Sequence, residues 1–151
     1  MARSVTAKKS VKQGKPPYVL DEQVGFILRQ VWQRHAAIFA RDIRINLTPA
    51  QWAALAKLNE TGPCSQNQLG RLTAMDVATI KGVIDRLTAR GLTETSPDPE
   101  DGRRLLVSLT RAGQQLAEKA APNALAITRE TLAPLDAKER ETLTVLLNKL
   151  R

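Results

Sequence analysis

The hydrophobic pattern of this chain changes period at Gly91 and changes back at Thr110. Before Gly91 apolar residues recur every three to four positions, from Leu92 to Leu109 they alternate, and after Thr110 the helical spacing returns. That order admits a mainly helical body interrupted by one small β-hairpin, with few alternatives.

The helices on either side of the first switch are short and closely joined. Ser65-Gln66-Asn67-Gln68 reads as a capping box, with Leu69 and Leu72 as the buried pair behind it. Thr73-Ala74-Met75 turns the chain. Asp76 caps the next helix, whose apolar face reads as Val77, Ile80, Ile84 and Leu87, and Gly91 suits its C′ position. A short helix, a three-residue turn and a second helix with such a ridge outline a helix-turn-helix. Leu92–Thr95 and Leu105–Leu109 are strand-like, and Ser96–Arg104 holds two Pro, two Asp and a Gly, so it must turn. A hairpin directly after a helix-turn-helix is a wing.

Longer helices flank this unit. From about Asp21 the residues Val24, Ile27, Leu28, Val31, His35, Ile38 and Phe39 share one face expected to be buried. Thr48-Pro49-Ala50-Gln51 is a capping box with Pro at the first helical position, and Trp52, Leu55 and Leu58 face inward. Thr110 opens a helix carrying Leu116, Ala120 and Ala124, which Pro122 is expected to kink or break in two. A third capping box, Asp136-Ala137-Lys138-Glu139, starts the last helix, with Leu143, Leu146, Leu147 and Leu150 on its apolar side. The first and last helices carry more apolar surface than so small a body covers. Segments 20–45 and 112–151 are therefore expected to pair with a second copy in a twofold homodimer.

Charge adds less than its total suggests. The 151 residues carry 23 Lys+Arg and 15 Asp+Glu, a formal +8. Residues 1–17 hold Arg3, Lys8, Lys9, Lys12 and Lys15 with no acid, and lack apolar periodicity, so they read as a disordered basic tail. Residues 18–151 form the single domain and keep only 18 basic against 15 acidic side chains. The longest apolar runs are five residues, Ala36–Ala40 and Trp52–Ala56, so no segment spans a bilayer. With no secretory signal and one cysteine, a cytoplasmic protein without a disulfide or a Cys-based metal site is expected. No phosphate-binding loop, dinucleotide fingerprint, nucleophile elbow or His pair is present, so neither an enzyme nor a cofactor is expected.

Four segments carry a resemblance. Leu47-Thr48-Pro49-Ala50-Gln51-Trp52, Gln68-Leu69-Gly70-Arg71-Leu72, Val83–Leu92 (VIDRLTARGL) and Asp98-Pro99-Glu100-Asp101-Gly102-Arg103-Arg104 through Val107–Gly113 (VSLTRAG) resemble the multiple-antibiotic-resistance regulator (MarR) family. The resemblance spans about residues 20–151 and implies a dimeric winged-helix transcriptional regulator, usually a repressor released by a small, often aromatic, ligand. Family wings often carry arginine where Glu100 and Gly102 stand, which implies a weaker grip by this wing.

A DNA-binding lobe is then expected over 65–111. With Val77, Ile80, Ile84 and Leu87 turned inward, Met75, Ala78, Thr79, Gly82 and Arg86 share the opposite side of the recognition helix, with Lys81 on its flank. Small residues at 78 and 82 let the helix sit deep in a major groove; Thr79 suits a base edge or thymine methyl, Arg86 a guanine or phosphate. Ser65, Gln66 and Asn67 suit phosphate capture at a helix start. In the wing the resemblance aligns Arg103 with the family's minor-groove arginine, Arg104 is a phosphate partner, and Asp98 and Asp101 shape the turn. The expected partner is double-stranded DNA with a pseudo-palindromic operator.

A sensor also needs a pocket. Arg29, Trp32, His35 and Phe39 follow one another at helical spacing, and Trp52 stands on the next helix. Three of the chain's five aromatic residues gathered beside Arg and His suit an aromatic acid, as free carboxylate or CoA thioester. Two other readings remain: redox control through Cys64, and a winged helix serving only as a protein-interaction module.

Overall fold

A computed structural model describes residues 16–151, so the basic tail assigned to 1–17 lies, except for Pro16 and Pro17, outside the described residues. A 3-10 turn at Leu20–Glu22 leads into α1 (Val24–Asp42), followed by α2 (Pro49–Thr61), α3 (Gln66–Leu72) and α4 (Val77–Ala89). The hairpin β1 (Thr93–Pro97) and β2 (Leu105–Leu109) comes next, then α5 (Arg111–Thr131) and α6 (Ala137–Lys149). This is a winged helix, as the period switches at Gly91 and Thr110 require.

The local signals act as expected. Thr48 and Gln51 exchange side-chain-to-backbone bonds of 3.2 and 3.0 Å, and Asp136 and Glu139 do the same at 2.9 Å each. Both boxes satisfy amide groups that a helix start leaves open. At Ser65 only half a box forms, the hydroxyl accepting from Gln68 N at 3.2 Å. Gly91 follows the cap residue Arg90 at φ +69°, a left-handed position that glycine tolerates without strain.

The hairpin is antiparallel with Thr93 opposite Leu109 and Pro97 opposite Leu105. β2 also pairs on its other side with Cys64, through bonds of 3.1 and 2.8 Å between Cys64 and Val107. The wing is thereby tied to the loop that leads into α3.

Two apolar clusters form the interior. The larger joins Ala54, Leu55 and Leu58 of α2, Leu69 of α3, four residues of α4 and Val107. The smaller consists of Ile38, Phe39, Ile43 and Ile127, where α1 crosses α5. Trp52 packs against both.

Several expected faces fall elsewhere. The stripe of α4 is Ile80, Val83, Ile84 and Leu87, while Val77 is 69% exposed. The whole first turn of α4, 76–79, projects past the core edge, so Val77 finds no neighbour to cover it. Leu72 ends α3 and is likewise exposed. On α1 only Ile38 and Phe39 are buried; Val24, Ile27, Leu28 and Val31 are exposed because α5 covers only the C-terminal half of the helix. Among the described residues none of α6 is buried. Pro122 does not break α5 in two. It costs the Glu118 carbonyl its amide partner, but both residues are exposed and water can serve that oxygen.

Of the glycines among the described residues, Gly113 is the most tightly packed. A Cβ there would lie 2.0 Å from the Leu92 carbonyl oxygen, which accepts from Thr110 N at 3.1 Å. Gly113→Ala is expected to cost about 3 kcal/mol or more, since backbone must move to admit the methyl. Urea unfolding measures this, and a loss under about 1 kcal/mol would contradict the contact.

Candidate nucleic-acid interface and effector cavity

The exposed side of α4 is built by two local devices. Asp76 accepts from Thr79 N at 2.7 Å and so fixes the helix start. That backbone bond holds the Asp76 carboxyl below its ordinary pKa and keeps it anionic. Beyond it Ala78, Thr79, Lys81 and Arg86 are exposed and Gly82 is half-covered, an arrangement that matches expectation. Met75 departs from it in part, because its side chain packs against the larger core cluster. Lys81 binds Asp85 one turn on at 2.7 Å, so its charge is partnered within the helix. Ser65 and Gln66 are half-buried and Asn67 is exposed, at the start of α3.

The wing tip is held by its acids. Asp98 Oδ1 accepts from Glu100 N at 2.9 Å, and Asp101 Oδ1 accepts from Arg103 N and Nε at 3.2 Å each. Backbone bonds from Asp98 N to Arg104 O and from Arg104 N to Asp101 O close the turn. Asp98 and Asp101 shape the turn, as expected. The Arg103 side chain nonetheless remains 92% exposed at the tip.

The second feature is a cavity of about 540 Å³ between α1, α2 and α5. Trp32, His35, Phe39 and Trp52 line it together with Leu125, Ile127 and Thr128. Four of the five expected residues thus converge. Arg29 does not, being exposed and absent from the lining. The walls contributed by α5 were not anticipated: Ala121, Ala124 and Leu125 read as ordinary helix residues, and only the α1–α5 crossing brings them there.

One polar group in the cavity is held from a neighbouring helix. The Thr131 hydroxyl lies 2.8 Å from Ile127 O and 2.9 Å from His35 Nδ1. His35 Nδ1 is thereby engaged by α5, which leaves Nε2 for a ligand or solvent. The Trp32 and His35 rings lie 5.5 Å apart at 35°, two faces of one wall.

Cys64 is 5% exposed inside the larger cluster, and burial raises its thiol pKa. A protonated, enclosed thiol is a poor nucleophile, which disfavours redox control.

With this geometry in view, comparison with known proteins places the chain. The MarR family model matches residues 47–105. The HTH-type transcriptional repressor NicR of Pseudomonas putida is 40% identical over 146 residues, covering 96% of this chain and 92% of NicR. The chain belongs to the MarR family. A crystal structure of a probable transcriptional regulator from Pseudomonas aeruginosa is 61% identical at a TM-score of 0.86, covering 88% of this chain and 100% of that one. BpsR of Bordetella bronchiseptica, whose structure was solved to explain regulation of its DNA binding by 6-hydroxynicotinic acid, is 44% identical at a TM-score of 0.85, covering 89% and 97%. This MarR-family chain is accordingly a DNA-binding transcriptional regulator and not an enzyme. Among the described residues no helix is long and apolar enough to cross a membrane.

The buried thiol gives a direct check. Cys64 is expected to react with an aromatic disulfide reagent at least about a hundredfold more slowly in the folded protein than in denaturant. Equal rates would restore the redox reading.

Proposed function

We propose that this chain is a dimeric repressor that leaves its operator when a small aromatic carboxylic acid fills the cavity. The observation that carries the reading is the convergence of Trp32, His35, Phe39 and Trp52 on one 540 Å³ space. Two indoles and a phenyl group offer stacking surface, and His35 Nε2 offers the polar contact that orients a ring substituent. The likeness to NicR supports repression, and the likeness to BpsR supports a hydroxylated pyridine carboxylate as the ligand class. A CoA thioester does not suit the space, since none of its lining side chains is Lys or Arg to receive the phosphates.

The operator surface in this reading is α4 with the wing. Ala78, Thr79 and Gly82 face the bases, Lys81 and Arg86 lie where bases or phosphates are within reach, and Arg103 and Arg104 bracket the minor groove. Ser65, Gln66 and Asn67 meet the backbone. The dimer reading rests on apolar surface left open at both ends of the chain: Val24, Ile27, Leu28 and Val31 on α1, and Leu146, Leu147 and Leu150 on α6, are all exposed. Such a surface is costly in water and self-complementary under twofold symmetry. The cavity lies against the same α1 helix, so a ligand there bears on the spacing of the two recognition helices.

Both tryptophans of the chain line the cavity, so ligand binding should quench most of the intrinsic fluorescence. Titration with 6-hydroxynicotinic acid is expected to do so and to release operator DNA over the same concentration range. His35→Leu should weaken the ligand about tenfold or more and leave operator affinity unchanged. Quenching without release would sink the sensor reading. Separately, Leu28→Glu with Leu147→Glu is expected to turn a dimer into a monomer by light scattering, and a wild-type monomer would refute the pairing.

A further inference from the structure

A second recess, of about 480 Å³, lies behind the C-terminal half of α4, where that helix meets the α1–α2 connection. Asn46, Leu47, Thr48, Gln51, Arg86, Ala89 and Arg90 line it, two arginines and no acid. Among the described residues neither arginine takes part in an ion pair, in contrast to Lys81 on the same helix. Arg90 does donate to the Asn46 carbonyl, which anchors one nitrogen of its fork.

Gln51 makes this more than a surface hollow. The residue is 8% exposed, and its Oε1 is taken by Thr48 N at 3.0 Å in the capping box. Its Nε2 has no partner among the described residues. No buried side-chain nitrogen or oxygen is left unpartnered among the described residues, so Nε2 keeps some accessible surface, and Gln51 is part of the recess lining. A largely buried side chain thus keeps two unpaired N–H donors in a lining that also holds Arg86, Arg90 and the start of a 13-residue helix. A donor-rich, acid-free hollow of this kind suits an anion with several acceptor oxygens.

We propose that the recess binds phosphate, and that its occupant is a backbone phosphate of the bound duplex, which rests on the DNA-binding reading above. Arg86 is the link. It lines the recess, and its Nη1 lies 3.8 Å from where a Cβ on Gly82 would stand, so the guanidinium folds back along the exposed side of α4. On the DNA-binding reading, a strand flanking the groove read by α4 runs from this guanidinium toward the mouth of the recess. Arg86 and Arg90 supply charge and Gln51 Nε2 a fixed donor. Arg86 acts as a positioning cation rather than a base reader.

Gln51→Glu isolates this role. Glutamate serves a capping box as well as glutamine does, so the Thr48 N bond and the fold are kept while a donor becomes an anion. The melting temperature should stay within a few degrees of wild type. Operator affinity is expected to fall about tenfold or more, and the slope of log affinity against log salt to lose about one unit per protomer. Arg90→Ala should give the same slope change. Ethylation of one phosphate per half-site should block wild type and leave Gln51→Glu indifferent. A folded Gln51→Glu with unchanged affinity and slope overturns the proposal.

A second arm uses inorganic pyrophosphate, followed by the Gln51 side-chain amide signals in NMR. Saturable shifts abolished by Arg90→Ala support the site; no shift at millimolar pyrophosphate, together with unaltered DNA binding by both variants, overturns it. Pyrophosphate binding with DNA binding untouched supports the phosphate site and assigns it to a free phosphate compound instead. Failure of the wild type to bind any duplex would sink the DNA reading, and the pyrophosphate titration would still decide the recess.

Discussion

Four side chains, Ile38, Phe39, Ile43 and Ile127, pin α1 to α5, and the remaining features hang on that crossing. It brings α5 against the aromatic stripe of α1 and so makes the wall of the cavity. It also fixes the connection after Asp42, through Asn123 Nδ2 donating to Ile43 O at 3.2 Å, and that connection forms one side of the phosphate recess. Arg34 adds donors to the Thr131 and Glu130 carbonyls, clasping the same pair of helices one turn away. Full burial of such apolar side chains stabilises by roughly 1.5–3 kcal/mol each, ample to hold two helices at one angle.

What could be read from the sequence was the part whose causes are local. The boxes at Thr48 and Asp136 and the cap at Asp76 depend on residues three positions apart, and the structure shows them where they were expected. The hairpin follows from alternation and turn chemistry in the same way. Asp98 and Asp101 hold the wing turn because an Asx side chain bonds its own neighbourhood.

Burial was harder, because a helical period gives a stripe but not its limits. Val77 and Val83 both fit a ridge with Ile80, and only the extent of the packed core decides between them. Leu28 and Val31 belong to an apolar face that has no cover among the described residues. Arg29 kept step with Trp32 and His35 in sequence, yet the cavity ends before it. Gln51 was legible as a cap through its oxygen; that it shares a recess with two arginines depends on residues 35 and 39 positions away and had no local sign.

The bridge between Lys81 and Asp85 has a kinetic consequence. Segment 65–111 carries seven basic and six acidic residues, a net of +1, and one of its cations is already spent inside α4. A lobe so nearly neutral holds random duplex weakly, because counterion release rewards only excess positive charge. Chromosomal DNA offers a vast number of wrong sites, and a protein that lingers on them is depleted before it finds the right one. For this lobe, near-neutrality makes fit to one sequence count for more than adhesion to all of them.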